Sequence, residues 1–184
     1  MLTNIKESLL VVIDVQERLG AAMPPGVRKR VIEQISVLLT AANNLDVPVM
    51  VTEQYPKGLG LTEPALKSQL DADVKPIEKT CFSCAKSPEF MAMVEKAQRK
   101  QVILTGMETH ICVLQTAMDL QAAGYLVFVI EDAVSSRAKG NQYNALYRMR
   151  QAGVIVSNVE SVLFEWLGDA SHQSFKTIAK LIVC

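Results

Sequence analysis

The segment Ser8 to Asp14, SLLVVID, is an apolar run that stops abruptly on a carboxylate. A run this short, bounded by polar residues, reads as a strand buried on both faces, and such strands belong to parallel sheets covered by helices. Asp14 then falls at the carboxyl end of its strand, where open α/β sheets build their sites. The pattern repeats along the chain. Val47 to Thr52 (VPVMVT), Gln101 to Thr105 (QVILT), Tyr125 to Asp132 and Val154 to Ser157 read as further strands. Between them, Val31, Ile35, Leu38 and Ala42 recur at helical spacing after the Pro24-Pro25-Gly26 turn and give one apolar helix face. Ser87 followed by Pro88 marks the start of a helix running to Arg99. Thr109 to Ala123, closed by Gly124, predicts the next helix, with Gly106 breaking the strand before it. A helix around Gln142 to Gln151 and two closing helices, Val159 to Leu167 and Ser171 to Leu181, complete the alternation. The expectation is a three-layer α/β/α sandwich with a mainly parallel sheet, forming one domain over residues 1–184.

Composition supports this. The chain is 49% hydrophobic but only 5% aromatic, so its core is built from Val, Ile, Leu, Ala and Met. Lys plus Arg equals Asp plus Glu at 19 each, which leaves no overall basic field for a nucleic acid. No apolar stretch approaches the roughly 20 residues that span a bilayer, so no membrane partner is expected. Four cysteines and no secretory leader pattern fit reduced thiols and a cytoplasmic protein.

Three residues attract attention as chemistry. Cys112 lies in the first turn of the helix after QVILT, where the helix dipole favours a thiolate and free backbone N–H groups can bind an oxyanion. A small buried core cysteine would occupy the same position, and placement alone does not separate the two. Asp14 and Lys79 sit at the ends of short extended segments, where a parallel sheet gathers side chains along one edge. Gln16, Gln54 and Tyr55 follow strand ends as possible polar contacts; the loop Gln54 to Pro64, with two prolines and two glycines, is placed to line a site. Cys81 and Cys84 have redox-pair spacing but lack the usual strand-to-helix context, and a pocket wall with Phe82 near substrate fits better. His110 is beside the site as a substrate contact or a solvated turn residue, His172 has no evident partner, and Cys184 reads as inert. A receiver-type signalling domain also uses an Asp at a strand end, but gathers several acids there, and SLLVVIDVQ offers one.

Three motifs, VVIDVQ (Val11 to Gln16), EKTCFSC (Glu78 to Cys84) and TGMETHICVLQTA (Thr105 to Ala117), resemble the isochorismatase-like cysteine hydrolases in the same order. TEQYPKGLG at Thr52 to Gly60 and LFEWLGDASHQSFK at Leu163 to Lys176 are similar to the branch of animal isochorismatase-domain proteins and their bacterial relatives. The resemblance implies an Asp14, Lys79, Cys112 triad and a cis peptide at Met107-Glu108. It also implies an oxyanion hole from the backbone N–H groups of Glu108 and Cys112, and a Lys79 charge that lowers the pKa of the Cys112 thiol. It further implies a cysteine-dependent hydrolase of a small amide-type C–N bond that works through a thioester. Nicotinamidase relatives carry a metal site with an Asp-x-His pattern and a further histidine; this chain has only His110 and His172, so no metal and no cofactor are expected. Relatives assemble, and Leu163, Phe164 and Trp166 are expected to leave an apolar cluster for a homo-oligomer. A fold retained for binding or scaffolding without catalysis is the alternative, as is a hydrolase of some non-amide metabolite.

Overall fold

The computed structural model describes residues 1–182; Cys184 lies outside the described residues. Six strands form one parallel sheet: β1 (Ser8–Ile13), β2 (Val49–Gln54), β3 (Ile77–Lys79), β4 (Gln101–Met107), β5 (Leu126–Ser135) and β6 (Ile155–Ser157). Their order across the sheet is β3-β2-β1-β4-β5-β6. The direction of winding reverses between β1 and β4, so the crevice beyond their carboxyl ends is where a doubly wound sheet binds ligands.

Helices α1 (Glu17–Ala21) and α2 (Pro25–Asn44) follow β1, and the short turns α3 (Pro56–Leu59) and α4 (Pro64–Lys67) follow β2. Next come α5 (Pro88–Ala97), α6 (Leu114–Ala122), α7 (Lys139–Gln151), α8 (Val159–Leu167) and α9 (Phe175–Ala179). Alternation along β1 divides its side chains between two cores. Leu10 and Val12 pack with Val31, Ile35, Leu38 and Trp166 of α2 and α8, whereas Leu9, Val11 and Ile13 pack with Phe90, Leu120 and Met149 of α5, α6 and α7. This gives the three layers. Val31, Ile35, Leu38 and Ala42 are all buried, as their spacing requires, and Ser87 caps α5 by accepting from the Phe90 N–H.

Several boundaries differ from the sequence reading; β2 runs two residues later than expected, to Gln54, and α5 ends at Ala97. Gly106 does not break β4 but lies inside it, at φ +113°, because a Cβ there would fall 2.0 Å from the Ile13 carbonyl oxygen; glycine lets β1 and β4 approach at the crevice. β5 continues past Asp132 to Ser135 after a register shift opposite Leu104 and Gly106. The helix expected from Thr109 starts as a π-helical turn, Thr109–Val113, and becomes α-helical only at Leu114. The last helix is shorter than Ser171 to Leu181. Leu163 and Trp166 are buried on the sheet, where the Trp166 indole N–H donates to Ser8 Oγ, and only Phe164, 41% exposed, reaches solvent and meets Phe175. The expected C-terminal apolar cluster is therefore mostly core. Among the described residues no helix is long and apolar enough to cross a membrane.

Candidate active site

Asp14 follows β1 directly and turns the chain with φ +52°, a left-handed conformation that Asp tolerates better than most residues. The turn leaves its carboxylate fully buried behind the sheet edge. Two side chains hold it. Thr52 Oγ1, adjacent because β1 and β2 pair with Ile13 opposite Thr52, donates to Oδ1 at 2.7 Å. Lys79 Nζ, from the end of β3, reaches Oδ2 at 2.7 Å, with side-chain exposures of 1% and 0%. The ammonium also donates to Gln54 Oε1 at 2.7 Å and to the carbonyls of Cys81 and Phe82 at 3.3 Å. An ion pair with this little water needs such additional bonds, since burial of either charge alone is costly. Burial by itself lowers the Lys79 pKa, but Asp14 outweighs it, with help from Cys84 and Cys112, and the net shift is upward.

Cys112 comes from the π-helical turn after β4 and is 5% exposed. Its pKa is raised, first by burial, then by the negative charge of Asp14, and Lys79 opposes this. Lys79 lowers the thiol pKa as expected, but burial and Asp14 work against the thiolate preference expected from a helix start, and the net shift is upward. A solvent-poor site penalises the anion more than one ammonium compensates, because that ammonium is already paired with Asp14. The Asp14 carboxylate that acts on the Cys112 thiol is held in position by Lys79 and Thr52.

The peptide bond Met107-Glu108 is cis. Among the described residues the Glu108 N–H donates to no protein acceptor. The Glu108 carboxylate is buried and bound by Arg137 through its backbone N–H at 3.0 Å and its Nε at 2.9 Å. His110, expected beside the site, has both ring nitrogens engaged, Nδ1 with Ser136 Oγ at 2.9 Å and Nε2 with Asn141 Nδ2 at 3.3 Å.

The remaining expected contacts divide. Gln16 is fully buried, and its amide is taken up by the Gln54 and Gly60 carbonyls and the Gln54 N–H, so it holds the loop after β2 and has no group left for substrate. Gln54 spends its own amide on Lys79 and on the Thr80 carbonyl. Tyr55 and Phe82 are about half exposed. Tyr55 lines a cavity of about 580 Å³ together with Lys79 and Cys81, while Phe82 lines a cleft with Leu114 and Met118. Cys84 is fully buried, its N–H bound to Thr116 Oγ1 and its sulfur 3.8 Å from Thr52 Oγ1, so it is part of the floor under Asp14. The roles of Thr52, Thr116 and Arg137 are not apparent in the sequence, because each depends on a contact set by strand register or by a distant loop. Among the described residues no group of three or more His, Cys, Asp or Glu is arranged to hold a metal ion.

Comparison with known proteins gives the same picture of kinship. The model of the isochorismatase domain matches residues 8–161. A secreted isochorismatase effector of Phytophthora sojae is 42% identical over 181 residues, covering 95% of this chain and 84% of that protein. Isochorismatase domain-containing protein 2A of Mus musculus is 38% identical over 178 residues, covering 96% and 83%. A solved structure described as the MAR1 ribonuclease of Caenorhabditis elegans superposes with a TM-score of 0.93 at 38% identity, covering 100% of this chain and 93% of that one.

Proposed function

The chain belongs to the isochorismatase family, and from that premise we propose that it is a cysteine hydrolase of a small amide-type C–N bond, with Asp14, Lys79 and Cys112 as its catalytic triad. The observation that carries this reading is the buried 2.7 Å pair of Asp14 and Lys79, both of which act electrostatically on the Cys112 thiol. As Cys112 Sγ adds to the carbonyl carbon, its proton passes to Asp14, and the carbonyl oxygen becomes an oxyanion held by the backbone N–H groups of Glu108 and Cys112. Collapse breaks the C–N bond; Asp14 returns the proton to the departing amine, leaving a thioester on Cys112. Water then gives a proton to Asp14 and adds to the thioester, the C–S bond breaks, and Asp14 reprotonates the sulfur. Lys79 remains charged throughout and keeps Asp14 in place. Net, one water converts the amide to an acid and an amine.

A protonated resting thiol suits this sequence of steps, since the proton leaves only when the C–S bond forms. The nematode relative is described as a ribonuclease, and RNA therefore belongs among the trial substrates. Phosphodiester cleavage is less well supported here, because charges balance over the chain and His110 is committed to Ser136 and Asn141. We also propose that the protein works as a cytoplasmic homo-oligomer, with the half-exposed Tyr55 and Phe82 beside the Lys79 loop covered by a second copy. Light scattering that shows only monomer at micromolar concentration would remove that part. The functional test is a screen of small amides, ureides and a generic RNA with the wild type and Cys112→Ala. Amide turnover that disappears in the variant supports the reading; turnover that survives the substitution sinks it, and no turnover of any substrate favours a binding role.

A further inference from the structure

Glu108 opens the turn that carries Cys112, and it is fixed at both of its polar ends. Its carboxylate receives two donors from one residue, the backbone N–H and the Nε of Arg137. Its carbonyl accepts from the N–H groups of Ile111 at 3.0 Å and Val113 at 3.3 Å. Arg137 is itself anchored, because it follows β5 by two residues and β5 pairs with β4 through Ser135 opposite Met107. Neighbouring Ser136 holds His110 in the same turn. With carboxylate and carbonyl both tied, the backbone between Met107 and Thr109 has little freedom to rotate, and the unengaged Glu108 N–H keeps one direction. The Arg137 side chain is 59% exposed, so its contribution is this contact and not core packing.

We propose that Arg137 is a positioning residue for the oxyanion: it acts through the Glu108 carboxylate to aim the Glu108 backbone N–H at the developing charge. This rests on the reading of Cys112 as nucleophile. A charge-assisted contact at two points is specific in direction as well as strong, and a backbone donor serves an oxyanion only when it is already aimed before the charge appears.

Two reagents separate aiming from general damage. p-Nitrophenyl acetate acylates a cysteine through a tetrahedral oxyanion: a C–S bond forms, p-nitrophenolate leaves, and the thiol proton goes to Asp14. Iodoacetamide alkylates the same sulfur by displacement of iodide and forms no oxyanion. Both rates are read at Cys112, by nitrophenolate release and by peptide mass mapping against the other cysteines. Arg137→Ala is expected to slow acylation by about tenfold or more while changing alkylation by less than about threefold. Arg137→Lys keeps the charge and the backbone N–H and should restore most of the acylation rate. Glu108→Gln removes the charged partner and should lower the same ratio, which covers the case in which Arg137→Ala does not fold. The proposal is overturned if folded Arg137→Ala, or Glu108→Gln in its place, acylates at the wild-type rate, or if both rates fall by one common factor. Asp14→Asn is the control for the underlying reading: it removes the proton acceptor and should slow acylation, while the loss of its charge lowers the Cys112 pKa and should not slow alkylation; if acylation is not slowed, the nucleophile assignment fails and Arg137 loses its role with it.

Discussion

Asp14 and Lys79 come from strand ends two positions apart in the sheet, β1 and β3, and join across 2.7 Å with almost no solvent contact. Such a pair contributes little net stability as a pair, but removing one partner strands the other charge in a dry site. Asp14→Asn is therefore expected to lose stability as well as activity, by about 3–5 kcal/mol. Urea unfolding checks this. Asp14→Asn combined with Lys79→Met should recover much of the loss while remaining inactive, which separates the structural cost from the chemical one.

The Cys112 thiol provides a pH prediction. Burial and the charge of Asp14 hold its pKa above the ordinary thiol range. Alkylation by iodoacetamide at pH 7 should thus be slower than that of an exposed cysteine and should keep rising through pH 9, where a free thiol is already ionised. Lys79→Ala removes a positive charge that favours the thiolate and should shift the curve further up. A Cys112 alkylation profile with a midpoint below pH 8 would show that the site stabilises the anion after all. Hydrolysis need not follow that profile, since Asp14 takes the proton within the reaction.

Much of this arrangement was readable from residue order. The apolar run SLLVVID closes on Asp14, and the strand-helix alternation predicts a parallel sheet whose carboxyl ends collect Asp14, Lys79 and the turn that carries Cys112. The ionisation of Cys112 was not readable: a helix start favours the thiolate, and only three-dimensional burial reverses that. Gln16 and Gln54 look like substrate contacts by position, yet their amides are consumed by the loop and by Lys79, which depends on the β2 to β3 register. Arg137 is 29 residues from Glu108 along the chain and gives no local signal.

Cys84 makes alkaline stability testable. Burial first, and then Asp14, raises its pKa from 9.0 to about 11. Between those values the unfolded chain releases the Cys84 proton while the folded chain keeps it. The stabilisation is complete below pH 9 and is lost as pH rises toward 11, by at most about 1.4 kcal/mol per pH unit from this group. Other groups titrate in the same window, so the comparison is with Cys84→Ala. Unfolding free energy of the variant should fall less steeply from pH 9 to 11 than that of the wild type; equal slopes would mean that Cys84 ionises without hindrance.

Gly106 and Gly124 offer the last test, because they share positive φ but differ in surroundings. Gly106 has φ +113° and Gly124 has φ +91°. A Cβ at Gly124 meets nothing within 4 Å, whereas one at Gly106 would lie 2.0 Å from the Ile13 oxygen and 2.8 Å from the Ile13 nitrogen. Gly124→Ala should therefore cost only the backbone strain, about 1–2 kcal/mol. At Gly106 the same strain is joined by a collision between two central strands, neither of which can move without breaking the β1 to β4 ladder. Gly106→Ala should cost about 3 kcal/mol or more, to the point of failing to fold. Any folded fraction should also show reduced Cys112 acylation, since the displaced residue is Ile13, which leads directly into Asp14. Equal urea midpoints for the two variants would mean that the β1 to β4 approach is not what the glycine at 106 provides.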